Sequence, residues 1–262
     1  MSQPVEKTSL SIVYITHDAA RTLAASLKSV LPLGGEILVV DSGSTDETVQ
    51  LAQQYGARIL RHAWEGFGGQ RAFAVNAASH DWILMLDADE ILRPETLPEI
   101  RRLIRDPGMV TGYYLKRYNH VGKKPIRHGD WARDDVLRLF HRRHGEYRRE
   151  DKVHESWCTP DHTAHLKGTA IDHYSFDSVG DMLKKLQIYA VLNAEKVYAR
   201  GKRISSLAPM THAAGAFLRC YFFRLGFLDG MEGAAIASTT ALGAFMKYAI
   251  ALEMQERDDR SP

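Results

Sequence analysis

The sequence predicts an α/β fold: a mainly parallel, doubly wound sheet with helices on both faces, followed by a helical extension. Three observations carry this expectation. Four apolar runs of strand length, Leu10–Ile15, Glu36–Val40, Ala57–Leu60 and Trp82–Leu86, alternate at short spacing with stretches of helical pattern, as the strands of a parallel sheet do. The fourth run stops abruptly at Asp87 and Asp89. A strand buried on both faces would thereby deliver acids to the carboxyl edge, where open α/β sheets bind ligands. From about Leu207 the chain turns apolar and rich in small residues. The expected division is a sheet domain over residues 1–178 and a helical, amphipathic extension over 179–262.

The elements follow in order. Leu10–Ile15 reads as a first strand and not as a secretory leader, because the run is brief and His17 and Asp18 follow it at once. Ala20–Val30 reads as a helix. After the second strand, Ser44 or Thr45 can cap a helix that runs to about Tyr55, with Asp46 and Glu47 in its first turn, where the helix dipole favours acids. Gly56 is placed to end it. Gly66-Phe67-Gly68-Gly69 reads as a glycine-rich loop before a helix from Gln70 to Ala78. Asp87 and Asp89 would point to opposite faces of a strand, so the chain must turn at Ala88 for both to reach one site. Pro94 opens a further helix and Asp106-Pro107-Gly108 breaks it. Gly112–Tyr118 and Val136–Phe140 alternate like strands, with no helical period until Asp181, which suggests antiparallel additions to the sheet. Asp181–Arg200 carries apolar residues at helical spacing and ends at Gly201.

The bulk numbers set limits. A chain of 262 residues, 45% hydrophobic, can build one large α/β core plus an appendage. A net charge of +2 supplies no global field for nucleic acid. Arginines and lysines are nevertheless dense from Arg101 to Arg149, including Arg142–Arg143 and Arg148–Arg149. Such a segment suits a polyanionic substrate, a phospholipid surface or a merely solvated basic face. Cys158 and Cys220 fit no CxxC pattern and read as free cytosolic thiols. In the tail, Arg219, Arg224 and Asp229 interrupt the apolar pattern, and the uncharged run Gly233–Met246 falls short of the roughly 20 residues that span a bilayer. The cluster FLRCYFFRLGF suits helices lying in the headgroup region, with arginines on phosphates. A helical hairpin packed on the sheet or across a dimer is the other reading.

Carboxylates at the end of a buried strand suit a hard divalent cation, since Mg²⁺ accepts one or two of them and completes its shell with substrate phosphates. A plain turn capped by acids has the same local pattern. The ordered set SIVYITHD, VVDSGSTDET, GGQRAFAVNAA and WILMLDADE, over Ser9–Glu90, resembles the nucleotide-sugar half of a family 2 glycosyltransferase of GT-A fold. VLRLFHR, EDKVHES and IDHYSF, then RCYFFRLGFLDGMEG, resemble the bacterial subgroup that adds glucose to a lipopolysaccharide core heptose. The resemblance implies inverting transfer from a UDP-sugar (UDP-glucose in that subgroup) with Mn²⁺ or Mg²⁺. It further implies a lipopolysaccharide core or other glycolipid acceptor, and peripheral placement on the inner face of the cytoplasmic membrane.

Roles follow residue by residue from that resemblance. Asp41, at a strand end, can accept the uracil imide hydrogen, and Thr16 can touch the nucleotide. The family often carries acids just after this position, where the chain has Ala19 and Ala20. Asp46 reads as a helix cap. Arg71 is a candidate for the uracil or diphosphate, or an ordinary surface arginine; Asn76 is a weaker candidate or a core-facing residue. Asp87 is assigned to the ribose or metal side and Asp89 to direct metal ligation, with Glu90 orienting them or pairing with an arginine. His173 completes the metal shell, holds the diphosphate, or is structural. An inverting displacement needs a base on the acceptor side, for which Glu155 is first and Asp151 second. Arg138 and Trp131 can shape the acceptor pocket, and Arg138 can equally hold a core carboxylate. Two other classes compete. A phosphatase of the haloacid-dehalogenase type also places DxD after an apolar strand, but on its first strand, whereas three strands precede it here. The other is a catalytically silent, nucleotide-sugar-binding membrane scaffold, against which the intact Asp89 and Glu155 argue.

Overall fold

In the computed structural model, which describes residues 8–132, 134–147 and 156–259, the apolar runs form strands at nearly the expected positions. The elements are β1 (Leu10–Thr16), α1 (Ala20–Val30), β2 (Glu36–Asp41), α2 (Thr48–Gln54), β3 (Arg58–Arg61), α3 (Gly66–Ala77), β4 (Trp82–Leu86), β5 (Glu90–Leu92), α4 (Leu97–Arg105), β6 (Gly112–Val121), β7 (Lys124–Pro125), β8 (Asp135–His141), β9 (Glu146–Tyr147), β10 (Trp157–Cys158), β11 (Thr163–Phe176), α5 (Val179–Tyr198), α6 (Ala208–Leu218) and α7 (Gly230–Asp259). The main sheet has the order β3-β2-β1-β4-β8-β6-β11-β5, with β7 paired to β6. Its first four strands are parallel, whereas β8 runs antiparallel to β4 and to β6, and β11 antiparallel to β5. The described residues form two compact units, Met1–Arg117 with Asp135–Tyr174 and Tyr118–Asp134 with Ser175–Pro262.

In the first unit, successive residues of β1 feed two cores, as a strand buried on both faces must. Ile12 and Tyr14 join Leu23, Leu27, Ala52, Ile100 and Leu103 from α1, α2 and α4. Val13 joins Ala74 and Val75 of α3, together with Phe140, Tyr147 and Trp157. Helices therefore cover both faces. The register Thr16↔Asp41 and Tyr14↔Leu86 brings the carboxyl ends of β1, β2 and β4 to one edge.

Two local expectations are corrected. The helix after β2 begins at Thr48, and neither Ser44 nor Thr45 caps it. Asp46 takes the N–H of Thr48 at 3.0 Å and that of Ala20 at 3.0 Å, so it ties the starts of α1 and α2 together. The Gly66–Gly69 stretch is the first turn of α3 and not a loop, with Gly68 and Gly69 buried. A Cβ at Gly69 would lie 3.0 Å from the Glu65 Cβ, so this close turn is built on small residues.

One irregularity shapes the site. Tyr113 pairs with Leu139 and Tyr114 with Leu137, which leaves Arg138 as the extra residue of a β-bulge on β8. Bulges of this kind re-aim a side chain that regular pleating would send elsewhere.

The second unit packs α7 against α5 and α6. Ser178 and Asp181 form a capping box at the start of α5. The backbone N–H groups of Arg127 and His128 and the His128 ring converge on the buried Asp229, and Arg219 and Arg224 both reach Asp130. The chain between α6 and α7 turns through Leu225 at φ 60°. Around it Phe222, Leu228, Met231 and Phe223 are 52%, 55%, 76% and 81% exposed. Among the described residues one helical stretch, Gly226–Asp258, has the length and apolar composition to cross a membrane.

Candidate active site

The loop after β2 is organised by one carboxylate. Asp41 is 1% exposed. Its Oδ1 accepts the N–H groups of Gly43 and Ser44 at 3.0 and 2.9 Å, and its Oδ2 accepts the hydroxyls of Thr16, at 2.9 Å, and Ser44. Burial alone would raise its pKa, but these donors hold it below the ordinary aspartate value. Asp18 closes the facing loop by accepting the N–H and hydroxyl of Thr45. Thr16 and Asp41 are thus held together at the sheet edge.

The chain does turn after β4, and the Glu90 N–H returns to the Asp87 carbonyl at 3.0 Å. Asp87 is clamped from two sides, by Arg71 Nη2 on Oδ1 at 2.7 Å and by Arg138 on Oδ2. Glu90 is fully buried; it accepts the Asp87 N–H at 3.0 Å and binds Arg138 at 2.6 Å and Arg117 at 3.0 Å. Burial would push the Asp87 carboxyl up, but Arg138 and Arg71, with Arg117 and His173 beyond, hold it far below the usual carboxylate range. The Arg138 guanidinium is in turn held protonated by Asp87 and Glu90 against the opposing effect of burial. Three arginines therefore face two carboxylates at the edge where the parallel strands end.

Asp89 has a different neighbour. β11 pairs with β5 so that His173 lies opposite Glu90, and His173 Nε2 stands 3.5 Å from Asp89 Oδ2. The bidentate pair of Arg93 with Asp172, at 2.9 and 2.7 Å, pins β11 beside this turn.

The structure thus brings together Thr16 with Asp41, Arg71 and Arg138 with Asp87, and Asp89 with His173. Arg71 is buried and not a surface residue, and Asn76 is exposed on α3 and does not face the core. Trp131 belongs to the second unit, where it stacks on Phe176 at 5.2 Å. Glu155 and Asp151 lie outside the described residues. Glu90 pairs with arginines as expected, with Arg138 and Arg117. Sequence reasoning missed Arg117, for which a charged residue inside the apolar alternation of β6 was the available signal.

Comparison with known proteins adds the family. Residues 11–167 match the family model described as glycosyl transferase family 2. A lipopolysaccharide core biosynthesis glycosyltransferase, LpsC of Rhizobium meliloti, is 29% identical over 94% of this chain and 95% of its own. An uncharacterized glycosyltransferase of Rickettsia felis is 28% identical over 92% of this chain and 88% of its own. Among solved structures, S. aureus TarS shares the fold with a TM-score of 0.50 at 16% identity, over 87% of this chain and 54% of that one. The matched span covers more than half of the chain and carries Asp41, Arg71, the Asp87–Glu90 turn and Arg138, so the chain belongs to glycosyl transferase family 2, with a GT-A fold.

Proposed function

We propose that this glycosyltransferase moves glucose from UDP-glucose to a heptose of the lipopolysaccharide inner core, with inversion and with a divalent metal. The observation that carries the reading is the Asp87–Glu90 turn, where one carboxylate is locked by arginines and the next stands beside a histidine. Asp87 has both oxygens engaged, so Asp89 takes the direct ligand role with His173 beside it, and Asp87 anchors the turn. Oxygen and imidazole donors fit Mn²⁺ or Mg²⁺. Among the described residues no group of three or more His, Cys, Asp or Glu forms a protein cage, so phosphate oxygens and water would complete the shell. When bound, the cation would offset charge developing on the departing diphosphate.

The chain's own residues do the rest. Asp41 reads the uracil imide, and the Ser44 hydroxyl is the donor that gives way, because a hydroxyl can rotate where a backbone N–H cannot. Thr16 holds the other side of that carboxylate. Arg71, Arg117 and Arg138 offset Asp87 and Glu90 at this edge, so these two carboxylates do not repel an anionic nucleotide, and a bound cation would offset Asp89. The acceptor hydroxyl attacks the anomeric carbon, its proton passes to Glu155 (or to Asp151), and the bond to the diphosphate breaks. A single displacement converts the α-linked donor into a β-glycoside.

The acceptor class is supported by the lipopolysaccharide-core role of the Rhizobium relative and by the exposed apolar side chains of the second unit, which suit a lipid-anchored substrate. The extension over 179–262 would rest on the cytoplasmic face of the inner membrane. Another anionic or polyprenyl-linked glycolipid would present the same kind of surface and is the second reading.

The test is UDP release by purified protein with Mn²⁺ or Mg²⁺, a panel of UDP-sugars and deep-rough lipopolysaccharide. Release with UDP-glucose only when acceptor is present is the expected result. Release with a different donor, or an α-linked product, overturns the donor or the single-displacement step. UDP binding without release on any lipopolysaccharide moves the acceptor to the second reading.

A further inference from the structure

We propose that the cavity beside the paired strands β9 and β10 is an acceptor subsite for a neutral, hydroxyl-rich sugar ring other than the one that reacts. The inference rests on the glycosyltransferase reading and adds to it a place and a charge preference for a further sugar of the acceptor. The cavity measures about 720 Å³, within the size range of small-molecule sites.

Its lining joins the two kinds of group that a neutral sugar uses. Tyr114, which is half-buried, offers aromatic surface and the buried Trp157 backs the wall, while Glu146, Asp161, Thr159 and Thr163 offer oxygens. Aromatic faces cover the apolar C–H face of a ring, and carboxylates accept hydroxyl hydrogens in strong, charge-assisted bonds. The same two carboxylates repel a phosphorylated or uronic-acid ring. This is the opposite of the arginine-rich turn at Asp87, so the two places sort their ligands by charge.

The walls are fixed. Trp157 stacks on Phe140 at 4.1 Å, and Tyr114 stacks on His165 at 5.0 Å. His144 Nδ1 holds Asp161 Oδ2 at 2.7 Å. Gly145 permits the close approach of the paired strands, because a Cβ there would lie 2.4 Å from the Cys158 carbonyl oxygen and 2.6 Å from Trp157 Nε1. The Trp157 Nε1 is buried with no hydrogen-bond partner.

The distance from the chemistry is set by two side chains. Trp157 meets Tyr147 at 5.4 Å between centroids, and the Arg71 guanidinium carbon stands 5.9 Å over the same Tyr147 ring while its Nη2 binds Asp87. A ring in the cavity therefore lies behind Trp157 and Tyr147 and does not touch the Asp87 clamp, so it is not the sugar that reacts.

The experiment is saturation-transfer NMR on the full chain, with methyl glycosides of neutral disaccharides and of matching uronic-acid disaccharides, each with and without UDP. The expected result is binding of the neutral probes only, undiminished by UDP. Binding should weaken at least fivefold in Glu146→Gln combined with Asp161→Asn, while UDP affinity stays as in the parent chain. In turnover, the same variant should raise the acceptor KM about tenfold with kcat little changed. Neutral probes that do not bind although UDP does, equal binding of uronic-acid probes, or an unaltered variant overturns the subsite alone. Loss of UDP binding in the parent chain would instead strike at the nucleotide-sugar reading.

Discussion

Arg138 shows how one residue can serve fold and site at once. Its single Nη2 reaches both Asp87 and Glu90, and Glu90 has no water to fall back on. Removing one partner of a buried ion pair leaves the other charge undercompensated, although Arg117 would still face Glu90 and Arg71 would still face Asp87. Arg138→Met is therefore expected to lower stability by about 3 kcal/mol in urea unfolding. Adding Glu90→Leu should recover part of that loss, and a double variant no better than the single would contradict the coupling. Asp89 lies on the other side of the same turn and is a quarter exposed. Asp89→Ala should leave the unfolding midpoint nearly unchanged while removing metal-dependent turnover. One charge pair at about 4 Å in a medium of dielectric near 20 is worth roughly 4 kcal/mol, enough to lower a rate by about three orders of magnitude. A variant with parental rates in Mn²⁺ would move the ligand role away from Asp89.

At the scale of elements, Glu36 joins pieces far apart in the chain. Its carboxylate accepts hydrogen bonds from Ser11 of β1, from Nε and Nη2 of Arg58 on β3, and from the N–H and hydroxyl of Ser79 just before β4. Burial pushes this carboxyl up, but Ser11, Ser79 and Arg58 outweigh it and bring it to about 2, from an ordinary 4.5. A depressed folded-state value means that the stability it contributes is fully present above pH 4.5 and is lost as pH falls toward 2. Glu36→Gln should cost on the order of 2 kcal/mol at neutral pH and flatten the acid limb in that window; an unaltered acid limb would show that the clamp carries no linkage. The strands that Glu36 joins were legible from sequence because β1, β2 and β4 are continuous apolar runs with acids at their ends. Less could be read where position depends on a partner. The bulge at Arg138 exists only in the register of β8 against β6. The approach of His173 to Asp89 needs β11, whose sequence TAHLKGTAIDHYSF mixes glycine and charge and hides a 14-residue strand. The glycines of α3 read as a loop because propensity disfavours them in a helix, and close packing overrode it.

For the whole molecule, the ion pairs that hold the tail inside the second unit decide which changes can separate anchoring from folding. Cutting the chain before Leu207 would remove Arg219 and Arg224 from Asp130, and Asp229 from Arg127 and His128. Loss of vesicle binding in such a piece would say little, since the second unit would lose its own ion pairs and the core around Cys220 and Ile236. Point changes on the exposed turn are cleaner. Phe223 and Met231 are 81% and 76% exposed, so placing charges there should change folding stability by less than about 0.5 kcal/mol. Each charge would nonetheless oppose insertion among lipid headgroups and acyl chains. Phe223→Asp with Met231→Asp is expected to abolish co-sedimentation with vesicles containing anionic lipid, while circular dichroism and UDP affinity stay as in the parent chain. Turnover should then fall on lipopolysaccharide held in vesicles but not on a water-soluble core oligosaccharide, because only the first requires the protein to reach a membrane. Retained vesicle binding would mean that the turn is not the anchor. A parent dimer that becomes a monomer in the variant, seen by sedimentation velocity, would assign this apolar surface to a second copy of the chain instead.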